Sequence, residues 1–189
     1  MAGRYPAKIG FERNIHEGTS LNVRLPTLPS LLKQQGYTNG HFGKWHLGHT
    51  EQSDPLAHGF DEFLGYHFWS INHYTHRNDS GEEALTRNRD IVEREGYLTE
   101  IITDESIRFI EENQDVPFFV YLSYNTALPP YLGPGLAPDQ WGTGFDDGTA
   151  TRYDYMQMVE AMDAGIGLIL DVLDELKLAD HTIVIFSSD

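Results

Sequence analysis

The apolar positions of this chain follow two different periods. Across residues 154–177, Tyr155, Met158, Val159, Met162, Ile166, Ile169, Leu170, Leu173 and Leu176 recur largely at steps of three and four. That is the repeat of one face of an α-helix, and the stripe is expected to face a core. Across residues 98–113, Leu98, Ile101, Ile102, Phe109 and Ile110 mark a second helical face. Glu100, Thr103, Asp104 and Glu111 fall largely on its other side, while Glu105 and Ile107 do not fit the pattern. A short helix is predicted over residues 27–36, with Thr27 as cap, Pro29 in the first turn, Leu31 and Leu32 facing inward, and Gly36 at the end.

Strand signals alternate with these helices. Residues 116–124 (VPFFVYLSY) and 182–186 (TIVIF) are short, nearly continuous apolar runs. Each is expected to form a strand covered on both faces. Residues 37–42 predict a shorter strand. The alternation argues an α/β fold with a mostly parallel central sheet and helices on both faces. Residues 48–95 and 124–151 are less regular, and the second stretch carries Pro129, Pro130, Pro134 and Pro138. Long irregular stretches in a compact domain are usually functional or disordered.

Composition narrows the classes. The 189 residues include no cysteine, which excludes a disulfide scaffold, a thiolate metal site and a thiol nucleophile within the chain. The formal charge is −16 and is uneven: residues 1–50 hold six Lys/Arg against two Asp/Glu, residues 51–189 seven against twenty-seven. Such an acidic surface disfavours nucleic acid as a partner. No apolar run is long enough for a membrane span.

In open α/β sheets ligands bind beyond the carboxyl ends of the strands. Three segments follow predicted strands: Gly43-Lys44-Trp45-His46-Leu47-Gly48, Asn125-Thr126-Ala127-Leu128-Pro129-Pro130, and Ser187-Ser188-Asp189. If the strands are parallel, Lys44, Leu128 and Asp189 share one edge. Lys44 offers a cation and three donors for an oxyanion. His46, two residues on in extended chain, would point to the same side and could donate or carry a proton. The same residues also read as a surface lysine beside a packed Trp-His pair. Asp189 suits a hard cation, or equally a helix cap or loop carboxylate. Seven of nine histidines lie between His41 and His76, among Tyr66, Phe68, Trp69 and Tyr74. Without a metal-ligand spacing motif, aromatic packing is the better reading than zinc. Asn78-Asp79-Ser80 is a glycosylation sequon of a kind that arises often by chance.

The run from Gly36 to Gly48, GYTNGHFGKWHLG, resembles the second signature of the sulfatase family. Other segments resemble the family in the same order: Gly3-Arg4-Tyr5-Pro6, Thr27-Leu28-Pro29-Ser30-Leu31-Leu32-Lys33, His58-Gly59-Phe60-Asp61, Pro117-Phe118-Phe119-Val120-Tyr121-Leu122, and the stretch from Thr182 to Asp189. The resemblance implies an alkaline-phosphatase-like α/β fold. It also implies hydrolysis of a sulfate ester, a small molecule or a sulfated glycan, by a formylglycine made from Cys or Ser, with Ca²⁺. Carried over by motif, Lys44 would bind the sulfate and the formylglycine, His46 would hydrogen-bond the formylglycine hydroxyl, and Asp189 would be a calcium ligand. A secreted, periplasmic or lysosomal-type route would follow.

The sequence departs from the family's pattern. Leu128 stands where a His is expected, and Leu has no donor for an ester or sulfate oxygen. Loss of an oxyanion donor costs on the order of 10²–10³ in rate. Asn39 replaces a more usual Ser or Thr. The nucleophile motif would lie before Gly3, and Ser53-Asp54-Pro55 does not replace it because Ala57 stands where its Arg belongs. Residues 1–189 are therefore expected to be part of a single catalytic domain, incomplete at both ends and inactive alone. The alternative is a degenerate, non-catalytic member that binds sulfated glycans. A phosphatase or phosphodiesterase of the same superfamily would not need the Gly43-Lys44-Trp45-His46 run.

Overall fold

The computed structural model describes residues 1–11, 20–136 and 150–187. Its strands are β1 (Thr38–Lys44), β2 (Glu62–Tyr66), β3 (Thr86–Arg87), β4 (Asp90–Ile91) and β5 (Phe118–Ser123), and they form one sheet in the order β4-β3-β2-β1-β5. β1 lies between β2 and β5 and is parallel to both. β3 and β4 are short antiparallel additions beside β2. The parallel trio matches the expected sheet, and the antiparallel edge makes it mixed.

Among the described residues three α-helices accompany the sheet: α1 (Leu28–Gln34), α2 (Leu98–Glu112) and α3 (Arg152–Glu175). Thr27 caps α1 and Thr151 caps α3, each through a reciprocal capping box. Side-chain alternation divides the sheet into two faces. On one, Phe42, Leu64, Tyr66, Leu98, Ile102 and Phe109 form a buried cluster that seats α2. On the other, Trp45, Phe60, Phe63 and Leu21 form a second cluster. Asn39 anchors α1 on this second side, its Nδ2 donating to Pro29 O at 3.0 Å and to Gly59 O at 2.9 Å. Full burial of each large apolar side chain contributes about 1.5–3 kcal/mol.

Some expectations fail for physical reasons. Residues 182–186 are not a buried strand: they pair with none of the five strands, and Ile183 and Ile185 are 88% and 83% exposed. β-rich sequence becomes a strand only where a neighbouring edge takes its backbone bonds. β5 is the edge of the described sheet, so the run at 116–124 is only half-covered, with Val116 and Tyr121 exposed. In α1, Leu31 is exposed and Pro29 is the buried residue, held to β1 by Asn39. α3 packs on α2, with Gly165 against Thr103 and with Met158 and Leu173 buried, while Tyr155 and Leu170 of its stripe are exposed.

In α2 the buried face is wider than the apolar pattern. Thr103 and Glu105 are buried as well. Glu105 is ion-paired with Arg87 at 2.5 Å and with Arg94 and Arg108 at 2.9 Å. Burial pushes its carboxyl up, but the Arg87 and Arg108 hydrogen bonds and charges outweigh that and hold it below its ordinary range.

Candidate functional site

The carboxyl ends of β1, β2 and β5 meet at two glycines. Gly43 has φ +112°, and a methyl group there would sit 2.0 Å from the Ser123 carbonyl oxygen of β5. A methyl at Gly65 would sit 1.8 Å from the Gly43 carbonyl oxygen. Only glycine lets three backbones close this tightly. Lys44 is the last residue of β1 and is half-buried. Beyond it the chain is fixed by Trp45, whose amide donates to Tyr66 O at 2.9 Å and whose indole donates to Ser53 O at 2.7 Å.

His46 sits in the left-handed region at φ 48°, so the chain is no longer extended there. The expected strand alternation therefore does not relate it to Lys44; the turn does. The two remain electrostatic neighbours. Burial, then the Lys44 cation, then His49, lower the His46 imidazole from 6.5 to about 4. His67, just past β2, is likewise lowered to about 4 by burial and His49, against the opposing pull of Asp54. The rings of His49 and His67 lie 6.5 Å apart. One strand edge thus carries a lysine beside three imidazoles, and His46 and His67 are neutral at pH 7. The aromatic and histidine content of residues 48–76 gave a signal for His49 and His67, but no spacing motif tied them to Lys44.

After β5, Asn125 is buried and makes every bond its amide can make. Its Oδ1 accepts from Tyr66 Oη at 2.6 Å and Ser70 Oγ at 3.1 Å. Its Nδ2 donates to Ile71 O at 3.1 Å and to His73 Nε2 at 3.2 Å. This knot fixes the loop in which Leu128 is half-buried, its amide donating to Asn125 O at 3.0 Å. The carboxyl edge of the sheet therefore holds both Lys44 and Leu128, as expected. Asp189 lies outside the described residues.

The other candidates resolve as structural. His73 stacks on Tyr97, and His41 and His58 pack against Trp45, which fits aromatic packing. Among the described residues, no group of three or more His, Asp or Glu could hold a metal ion. Ser53 is buried, with its hydroxyl bonded to Thr50. The sequon Asn78 is buried in its own loop, with Nδ2 on Glu82 at 3.0 Å. No helix of the described residues is long and apolar enough to cross a membrane.

Comparison with known proteins identifies the family. A family model described as Sulfatase matches residues 1–189. The chain is 32% identical over 216 residues to N-acetylgalactosamine-6-sulfatase of Homo sapiens, covering 100% of this chain and 39% of that protein. It is 30% identical over 214 residues to the uncharacterized sulfatase YdeN of Escherichia coli K12, covering 100% of this chain and 37% of that one. It thus spans less than two fifths of the curated relatives it matches. Among solved structures, Ps i-CgsB superimposes with a TM-score of 0.79 at 27% identity, over 94% of this chain and 43% of the other. The same protein in complex with k-i-k-neocarrahexaose gives 0.78 at 28% identity, over the same shares.

Proposed function

The chain belongs to the sulfatase family, and we propose that it forms part of the catalytic domain of an enzyme that hydrolyses a sulfate ester. The observation that carries this reading is the position of Lys44 and His46 at the carboxyl edge of the parallel strands, inside the signature run. In this reading the Lys44 ammonium binds a sulfate oxygen. Negative charge grows on the sulfuryl oxygens in the transition state, and a fixed cation in a part-buried site stabilises it more there than in the ground state. His46 is neutral, so it hydrogen-bonds the hydroxyl of the nucleophile without adding a second positive charge.

The nucleophile of the proposal, a formylglycine, is assigned to no residue of this chain. Ca²⁺, with Asp189 as one ligand, belongs to the same proposal. The described residues supply no ligand set that fits it. A sulfated sugar is the proposed substrate class. Supporting it are the 32% identity to a protein named N-acetylgalactosamine-6-sulfatase and the likeness to Ps i-CgsB, which was solved with k-i-k-neocarrahexaose.

Leu128 favours a second reading, a member that binds sulfated glycans without turnover. The full-length protein with matured nucleophile, assayed on an aryl sulfate and on sulfated oligosaccharides, separates the two. Sulfate release that falls about 10³-fold in Lys44→Ala supports the first reading. Binding of the oligosaccharide with no release, and release restored by Leu128→His, supports the second. Neither binding nor release rejects both.

A further inference from the structure

His41 lies in the middle of β1, fully buried, on the face opposite α2. The rings of Trp45, Phe60, Phe63 and Tyr121 surround it with centroids 5.1–5.4 Å away. Its Nδ1 has no hydrogen-bond partner. A phenylalanine would fill the same cage without leaving a polar atom unsatisfied, and a buried unpaired polar atom costs about 1–3 kcal/mol. What histidine adds is therefore its other nitrogen.

Nε2 lies 2.9 Å from Ser123 Oγ. The Ser123 hydroxyl is itself 2.7 Å from the Lys44 carbonyl oxygen, which can only accept. The single hydroxyl proton is thus committed to Lys44, and the bond to His41 must have Nε2–H as donor. The tautomer is set, and the chain of bonds has one direction: His41 to Ser123 to the Lys44 carbonyl. The pairing of β1 with β5 ends at Gly43 and Ser123, one residue short of Lys44. The Ser123 hydroxyl carries the attachment one residue further. The ring stays neutral, because burial lowers it from 6.5 to about 3 even though the nearby Lys44 carbonyl favours its proton. It therefore adds a donor behind Lys44 without adding charge to the anion site.

We propose that His41 is a positioning residue for the anion site, acting through the Ser123 hydroxyl to fix the Lys44 peptide at the end of β1. This rests on the reading of Lys44 as the sulfate-binding group. The relay polarises the Lys44 carbonyl and holds the peptide from which the side chain departs. It also explains why Ser123 follows an apolar strand at the position paired with Gly43.

The test uses the full-length protein and inorganic sulfate as probe. Sulfate affinity is measured by titration calorimetry, and the Trp45 amide ¹⁵N shift is measured because that nitrogen shares its peptide with the Lys44 carbonyl. His41→Phe and Ser123→Ala should each weaken sulfate binding about three- to tenfold and move the Trp45 shift, and the double variant should do no more than either alone. Ser123→Thr, which keeps the hydroxyl, should retain near-normal affinity. A structural role alone would lower Tm without this pattern. If Lys44→Ala abolishes binding while His41→Phe and Ser123→Ala leave affinity and the Trp45 shift unchanged, the positioning role is wrong and the reading of Lys44 stands. If Lys44→Ala leaves sulfate binding intact, the reading of Lys44 is wrong and the proposal falls with it. Should His41→Phe fail to fold, Ser123→Ala decides alone.

Discussion

The Tyr66 hydroxyl donates to Asn125 Oδ1 across 2.6 Å, tying the end of β2 to the loop after β5 past the intervening β1. Both groups are buried, and burial raises the Tyr66 phenol well above its ordinary value, so it stays a donor. Asn125→Ala should destabilise the protein by about 3 kcal/mol, since it strands the Tyr66 hydroxyl and the Ile71 carbonyl without partners. Tyr66→Phe should cost about 1–2 kcal/mol, because Asn125 stays anchored through Nδ2 but its oxygen keeps only the longer contact to Ser70, whose hydroxyl also lies against the Pro129 carbonyl. Urea denaturation of the two variants checks the order; equal losses would show that the knot is not cooperative.

Gly43 gives a prediction about the strand ends. Gly43→Ala places a methyl 2.0 Å from a backbone oxygen and at φ +112°. Gly81 also has a positive φ, +79°, but open space around it. Gly81→Ala should therefore cost about 1 kcal/mol from conformation alone. Gly43→Ala should cost about 2–4 kcal/mol and weaken sulfate binding in the full-length protein, since Lys44 follows it directly. Thermal melts of both variants measure the difference. Similar losses at the two sites would mean that the strand ends can part without harm.

These two sites also show what the sequence could and could not reveal. The signature run and the apolar strand 116–124 were readable because a family motif and a continuous apolar run are local patterns. The placement of Lys44 and Leu128 on one edge followed from parallel pairing alone. Ser123, Asn125 and His41 were not readable as a set, because their bonds join residues 52 to 82 positions apart, and no local period encodes such contacts. Residues 182–186 mislead for the converse reason: composition says strand, but a strand also needs an edge to bind. Glu105 broke the helical pattern because its partners Arg87 and Arg94 lie outside the helix.

Glu105 gathers three arginines at one carboxylate. It is only 8% exposed and balances Arg87, Arg94 and Arg108. Glu105→Ala leaves three guanidinium groups facing one another, with Glu62 as the remaining partner of Arg87, and Glu62 and Glu112 as those of Arg108. Removing one side of a buried ion pair costs about 3–5 kcal/mol, and the partly exposed arginines place this site at the lower end. Glu105→Gln keeps hydrogen bonds but not charge, and should fall between. Guanidinium chloride is unsuitable here because it screens the charges; urea melts at low and high salt are the measurement. A loss for Glu105→Ala that is under about 1 kcal/mol would show that the network is solvated.

His41 and His73 are fully buried and lowered from 6.5 to about 3, by burial first and then, for His73, by His76. In each case the folded state refuses a proton that the unfolded state accepts below about pH 6.5. Stability from these groups is therefore complete above pH 6.5 and declines as pH falls from there toward 3. Each fully buried imidazole contributes a slope of about 1.4 kcal/mol per pH unit once the unfolded state is protonated. His46, His49, His58, His67 and His76 are shifted in the same direction, so they add to the decline rather than offset it. Urea midpoints at pH 7.5, 6.5, 5.5 and 5.0 should be flat at first and then fall. His41→Phe should remove one histidine's share, making the curve shallower below pH 6 while leaving the value at pH 7.5 equal or higher. An unchanged slope in that variant would show that His41 takes up a proton in the folded protein, which would put a second positive charge behind Lys44.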